Sequence, residues 1–278
     1  MGDALIKSGR RNAFRYRLVG NLAYHLRARP GKPFQKMSIA SFVIVFFMSL
    51  GASLTQRVCG FGFGIFIMMV LPFIMPSIGE ATALSGLLAV FTALIPALNL
   101  RKIVPWRKLI PILVTFIVVS FFAVILVKHI ESRLLKKILG GVMIVISLYF
   151  FFLNGRFSLK PSIPIQIGMG TLSGLMGGLF AMQGPPAVIY FMGCTDDKTE
   201  YMAITQWYFL IGNALMSIFR AGHGFVTLSV LEAWCVGIAG VLIGLLIGAK
   251  IFRRINPELL RHIIYGFMAF SGLIAVFS

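Results

Sequence analysis

Two short stretches carry residue types that an apolar chain has little reason to use unless they do chemistry. The first is Gln56-Arg57-Val58-Cys59-Gly60-Phe61-Gly62-Phe63-Gly64. Alternating glycines between long apolar runs are poor helix formers. An interruption of this kind ends one helix and opens another. The new helix start offers free N–H groups and a positive dipole end, which suit an anion. Gly60, Gly62 and Gly64 are therefore candidate substrate-binding positions. The competing reading is that they only let helices pack closely. Arg57 supplies a guanidinium that can grip an oxyanion through two parallel hydrogen bonds. The alternative places it at a membrane surface, with its head reaching lipid phosphates. The glycine spacing also resembles a nucleotide-binding loop. However, no strand precedes it, no Lys-Ser/Thr closes it and no acidic residue follows at the expected distance. Cys59 is read as a small packing residue.

The second stretch runs from Gly174 through Gly177-Gly178 to Gln183-Gly184-Pro185-Pro186. Proline in the first helical turn is preorganised for a helix start. Gly184 with the two prolines behind it reads as a second interruption with a fresh half-helix beyond. Gln183 is an amide in an otherwise apolar run. Gln183, Gly184 and Pro185 join the substrate-binding candidates, against the alternative of a simple kink. Thr205 and Asn213 are further candidates. They share a helix face and can line the same cavity, although such groups more often bond between helices. Glu80 and Glu200 are read as helix-start residues that complement the dipole.

The elements that must position these groups are membrane helices. Of 278 residues, 58% are hydrophobic and 12% are charged, about half the charged share of a soluble domain. Apolar segments fall at 38–56, 60–76, 80–99, 109–127, 134–153, 164–183, 185–193, 201–219, 226–249 and 259–277. No alternating strands suggest a barrel, and helices are the other way to satisfy a backbone in hydrocarbon. The expected fold is all-α and polytopic: about eight transmembrane helices plus broken or re-entrant half-helices, in two homologous four-helix repeats. The expected parts are a basic arm 1–36, a first repeat 37–153, a linker 154–163 and a second repeat 164–278.

The arm holds Lys7, Arg10, Arg11, Arg15, Arg17, Arg27, Arg29, Lys32 and Lys36, against the single acid Asp3. Ahead of a membrane span such an arm is expected to be cytoplasmic and to rest on anionic lipid, not on nucleic acid. It is too long for a signal-peptide basic region, and no convincing cleavage site follows it. His25, His129, His223 and His262 are scattered, and the three cysteines lack metal spacing. An enzyme, a metal site and a cofactor are not expected, and no ATP-binding motif is present.

A shift of about 120 positions lays Glu80-Ala-Thr-Ala-Leu-Ser85 on Glu200-Tyr-Met-Ala-Ile-Thr205, and Gly64 on Gly184, the mark of an internal repeat. Weak repeats with a site between them are typical of secondary transporters. With four crossings per half, the arm, the 101–108 loop, the linker and Arg220 lie on one side. The turns at Glu80 and Asp196-Asp197 then lie on the other. Five crossings per half, with two crossings between 38 and 76, would invert the repeats; the first scheme is preferred.

The residues that carry these readings resemble the TauE/SafE family of sulfite exporters, also called the 4-toluene sulfonate uptake permease family. The matching parts are Gly60-Phe-Gly-Phe-Gly64 to Leu71-Pro72, Val104-Pro-Trp106-Arg107, Gly177-Gly178 to Pro186, Asn213, and Phe252-Arg253-Arg254-Ile255-Asn256-Pro257-Glu258. The resemblance covers about 38–277. It implies a multi-pass inner-membrane protein that moves small sulfur-containing anions such as sulfite or organosulfonates. Arg57 and the long basic arm depart from the family pattern. A coupling proton or sodium ion, the direction of transport and homo-oligomerisation stay open. So do two rival functions: transport of another small organic anion, and a non-transporting structural role.

Overall fold

Helix boundaries follow local capping chemistry. The computed structural model describes residues 37–152, 162–195, 197–251 and 257–277. The basic arm and nearly all of the linker lie outside the described residues. Helix α1 spans Ile39–Cys59 and starts where Ser38 accepts from the Ser41 N–H. Two short helices follow, α2 (Phe63–Met68) and α3 (Leu71–Ile74). Helix α4 (Ile78–Asn99) begins at Ser77, whose hydroxyl accepts the Glu80 N–H and lies 3.4 Å from the Glu80 carboxylate, a side-chain N-cap. Then come α5 (Trp106–His129), α6 (Ser132–Phe152), α7 (Ile163–Phe180) and α8 (Gly184–Cys194). Helix α9 (Lys198–Gly222) is capped by Asp197, which accepts the Glu200 N–H. Helices α10 (Leu228–Ile251) and α11 (Pro257–Phe277) complete the chain.

The described residues are helical and contain no strand. Seven helices are long and apolar enough to cross a bilayer: α1, α4, α5, α6, α7, α9 and α10. Shorter apolar stretches lie at Phe63–Ile74 and His262–Phe277. Large apolar side chains such as Val114, Val118 and Phe122 stand exposed in a stripe along α5. A face of this kind would aggregate in water and is matched to lipid. The protein is a multi-pass membrane protein.

Helix directions follow from who touches whom. In α10, Gly240 sits on Phe46 and Leu50, Gly244 on Leu50 and Ser53, and Gly248 on Arg57. Helices α1 and α10 therefore run parallel at backbone-close range, as small residues allow. Helices α5 and α7 repeat this: Gly170 meets Ile112 and Thr115, Gly174 meets Phe116 and Val119, and Gly178 meets Ser120 and Ala123. Helices α6 and α11 pack antiparallel, with Gly140 against Gly272 and Ser147 bonded to the Tyr265 carbonyl. Helices α4 and α9 also pack antiparallel, with Gly79 against Phe225 at one end and Gly86 against Ser217 farther in.

Two ends of the bundle follow. At one, Glu80 bonds Thr227 and Ser229, joining the starts of α4 and α10. At the other, Lys108 at the start of α5 lies 2.7 Å from Glu200 and donates to the Cys194 carbonyl at 2.9 Å. Helix α1 enters from the Glu80 end and α2–α3 return there. Helix α7 enters from the Lys108 end and α8 returns there. The first residues of α1 and the 101–108 loop thus lie at opposite ends, and so do Glu80 and Asp197. The four-crossing scheme placed each of these pairs on one side. The helix directions instead follow the five-crossing scheme, because the chain between 38 and 76 goes in and comes back. Hydrophobicity alone carries no direction, so the sequence weighed both schemes without a physical discriminator.

Candidate functional site

The two interruptions meet. Helix α1 ends in left-handed Gly60 (φ 80), and α2 opens from left-handed Gly62 (φ 104). Helix α7 ends in left-handed Ala181 (φ 55), whose N–H returns to the Gly177 carbonyl while Met182 bonds Met176. The Ala181-to-Gly177 bond is the left-handed type of helix C-cap. Gly64 packs so tightly on Ala181 that a Cβ there would stand 2.1 Å from the Ala181 carbonyl oxygen. Only glycine fits that contact.

Between the breaks lies a cavity of about 20 Å³, bordered by Gln56, Gly62, Gly64, Gln183, Gly184 and Asn213 among others. It has room for a water-sized occupant. Its walls are short of partners. Neither amide atom of Gln183 has a hydrogen-bond partner, nor does the Gln56 nitrogen, although both side chains are buried. The first-turn N–H groups of α2 have no helical acceptor. In α8, Pro185 and Pro186 remove two such donors, and Gln183 and Gly184 border the cavity, with the Gln183 amide packed beside Gly212 of α9. Unpaired buried donors cost about 1–3 kcal/mol each and mark a place that can receive an acceptor such as an anion.

The surroundings hold the breaks in place. Gln206 Nε2 donates to the Gly60 carbonyl at 2.8 Å. Ser173 bonds the Gln183 carbonyl and lies 2.6 Å from the Tyr208 hydroxyl. Ser271 donates to the Met69 carbonyl at 2.6 Å, where the α2–α3 bend frees it. Each bond satisfies a carbonyl that a continuous helix would have used.

Of the sequence candidates, Gly62, Gly64, Gln183, Gly184 and Asn213 line the cavity. Gly60 sits behind it against Met202, and Pro185 is buried in the first turn of α8. Thr205 is fully buried outside the lining, with an unpartnered hydroxyl. Arg57 is not brought to the cavity. It turns to a groove of about 340 Å³ at the Lys108 end, shared with Pro96, Asn99, Leu100, Lys198, Thr199 and Met202. Adjacent helical residues point about 100° apart, so with Gln56 in the cavity Arg57 faces away.

Two residues of the surroundings carry no motif of their own. Gln56 stands only at the flank of the first stretch. Arg220, which the four-crossing scheme groups with the loops on one side, is 1% exposed. Its Nη2 donates to the Gly177 carbonyl at 2.8 Å and to that of Gly178 at 3.1 Å. A charge at the end of an apolar run looks like a surface residue; its spacing of seven from Asn213 was the available sign that it faces inward.

The comparisons with known proteins bear on this arrangement. The family model for the sulfite exporter TauE/SafE matches residues 45–274. The chain belongs to the TauE/SafE family, a family of membrane transporters and not of enzymes. It is also similar to a probable sulfite/organosulfonate exporter TauE of Cupriavidus necator, 21% identical over 227 residues, covering 78% of this chain and 86% of that protein. No solved structure gives a significant match.

Proposed function

We propose that this protein is a secondary transporter of small sulfur-containing anions such as sulfite or an organosulfonate, with its binding site between the two breaks, where the water-sized cavity widens to admit the anion. The observation that carries the reading is the contact of Gly64 with Ala181 beside a cavity walled by unpartnered amide groups. An oxyanion there would accept from Gln183, from the Gly184 N–H and from the α2 helix start, without a carboxylate to repel it. Half-helix ends that meet at depth are how transporters build ion sites from backbone.

Alternating access needs two comparable halves. Element order and caps support a duplicated, inverted pair: α1 corresponds to α7, α2–α3 to α8, α4 to α9, α5 to α10 and α6 to α11. Ser77 and Asp197 are equivalent caps at the shift read from the sequence. The breaks register one position further, so that Gly60 answers Ala181 and Gly62 answers Gln183. Ala89 and Phe209, equivalent at the first shift, both border the cavity. The groove holding Arg57 and Lys198 would gather anions at the Lys108 end. The basic arm would bind anionic lipid from the cytoplasmic side of an inner membrane.

Uptake into proteoliposomes tests the reading, with labelled sulfite, thiosulfate, small sulfonates and carboxylates offered in parallel. Saturable movement of a sulfur anion is expected. Movement of carboxylates alone would favour a transporter of another organic anion, and no movement a structural role.

A further inference from the structure

Arg220 is the largest fully buried side chain of the described residues, and its carbonyl contacts use only one of its two terminal nitrogens. Nη2 fastens the last turn of α7 through Gly177 and Gly178. Nη1 is buried without a hydrogen-bond partner, and so is the hydroxyl of Ser217, three residues earlier on the same helix face. Both pack against Gly86. A Cβ built on Gly86 of α4 would lie 3.1 Å from Ser217 Oγ and 3.4 Å from Arg220 Nη1. Ser85, next in the chain, carries a third buried hydroxyl without a partner. Among the described residues no carboxylate pairs with Arg220; the ion pair there is Lys108–Glu200. A buried guanidinium without a counter-charge is costly. The two carbonyls offset part of that cost and do not explain the free Nη1.

We propose that Arg220, Ser217 and the glycine surface at Gly86 form a second binding site for a small oxyanion, between the central cavity and the Glu80 end. Gln206, Asn213, Ser217 and Arg220 lie on one face of α9 and are all buried. Asn213 lines the cavity, and Arg220 lies about 10 Å further along the helix. An anion released from the cavity passes along this stripe, opposite the small residues Ser85, Gly86 and Ala89 of α4. There the fork of Nη1 and the Ser217 hydroxyl receive it. The two sites then act in series, and transport toward the Glu80 end depends on both. This rests on the transporter reading for its ligand class.

Two mild variants test it. Gly86→Ala adds a methyl group 3.1 Å from Ser217 Oγ, which the hydroxyl must yield to by a few tenths of an ångström, and Ser217→Ala removes one donor. Both are compared with wild-type protein for thermal stability, for sulfite binding in detergent and for sulfite uptake into proteoliposomes. The expected result is near-normal stability and retained sulfite binding at the central cavity, with uptake lowered at least tenfold in both. Arg220→Lys, which keeps the charge and loses the fork, should fall between them and wild type if it folds. Wild-type uptake by both Gly86→Ala and Ser217→Ala would overturn the site and leave Arg220 as a fastening for α7. If wild-type protein moves no sulfur anion, the transporter reading fails and selenite-induced thermal stabilisation decides. Stabilisation that Gly86→Ala abolishes keeps the site, and absence of stabilisation in wild type removes it.

Discussion

Arg57 and Gln183 show how residue type and residue position part company. The guanidinium of Arg57 is the stronger anion ligand on chemical grounds, yet it turns to the outer groove while Gln183 faces the cavity with both amide atoms unpartnered. A cation in an open groove acts through its field more than through contact, and that field is screened by salt. Arg57→Gln should therefore raise the KM for anion uptake several-fold at low ionic strength, leave the maximal rate close to wild type, and lose its effect in high salt. A collapse of the maximal rate would instead put Arg57 in contact with the substrate. Gly62, Gly64, Gln183 and Gly184 were legible in sequence, because irregular residues in an apolar run need a reason. Arg220 was not, because a basic residue near a helix end is also the ordinary signature of the membrane surface.

At the scale of elements, the two breaks depend on one close approach. Gly64→Ala would drive a methyl into the Ala181 carbonyl at 2.1 Å, and neither backbone can yield without moving a helix. Thermal stability in detergent should fall sharply, by an amount on the order of 1–3 kcal/mol or more. Gly168→Ala on α7 meets nothing within 4 Å and should be neutral or slightly stabilising, since alanine is the better helix former. Equal behaviour of the two variants would mean that the breaks do not touch. The existence of both breaks and the helix starts at Glu80 and Glu200 could be read from local sequence, where glycine chemistry and helix-end charges operate. That Ala181 closes α7 in the left-handed conformation could not. An alanine in left-handed conformation, which costs about 1–2 kcal/mol, leaves no sign in the sequence.

For the whole molecule, helix direction is what the sequence withheld. Apolar helices read alike in either direction, and a stretch of 38–76 is about 57 Å as helix, too long for one span and short for two. The close contacts along α1–α10 and α5–α7 resolve it, and they place the first residues of α1 and the 101–108 loop at opposite ends of the bundle. Cysteines introduced at Ser8 and Lys102, in a background lacking Cys59, Cys194 and Cys235, should therefore label from opposite sides of the membrane. With the arm cytoplasmic, an impermeant thiol reagent outside intact cells should reach position 102 and spare position 8. Labelling of both from one side would restore the four-crossing scheme.

If the cavity between the breaks binds the transported anion, Gln183→Met should separate transport from stability. Methionine nearly conserves the volume and removes two buried polar atoms that have no partner, so the folded protein should be as stable as wild type or more so. The measurement is saturable uptake of labelled sulfite into proteoliposomes, with thermal stability recorded on the same preparation. Stability should be unchanged or higher, with uptake lowered at least tenfold. A stable Gln183→Met protein that transports sulfite at the wild-type rate would contradict anion binding in this cavity.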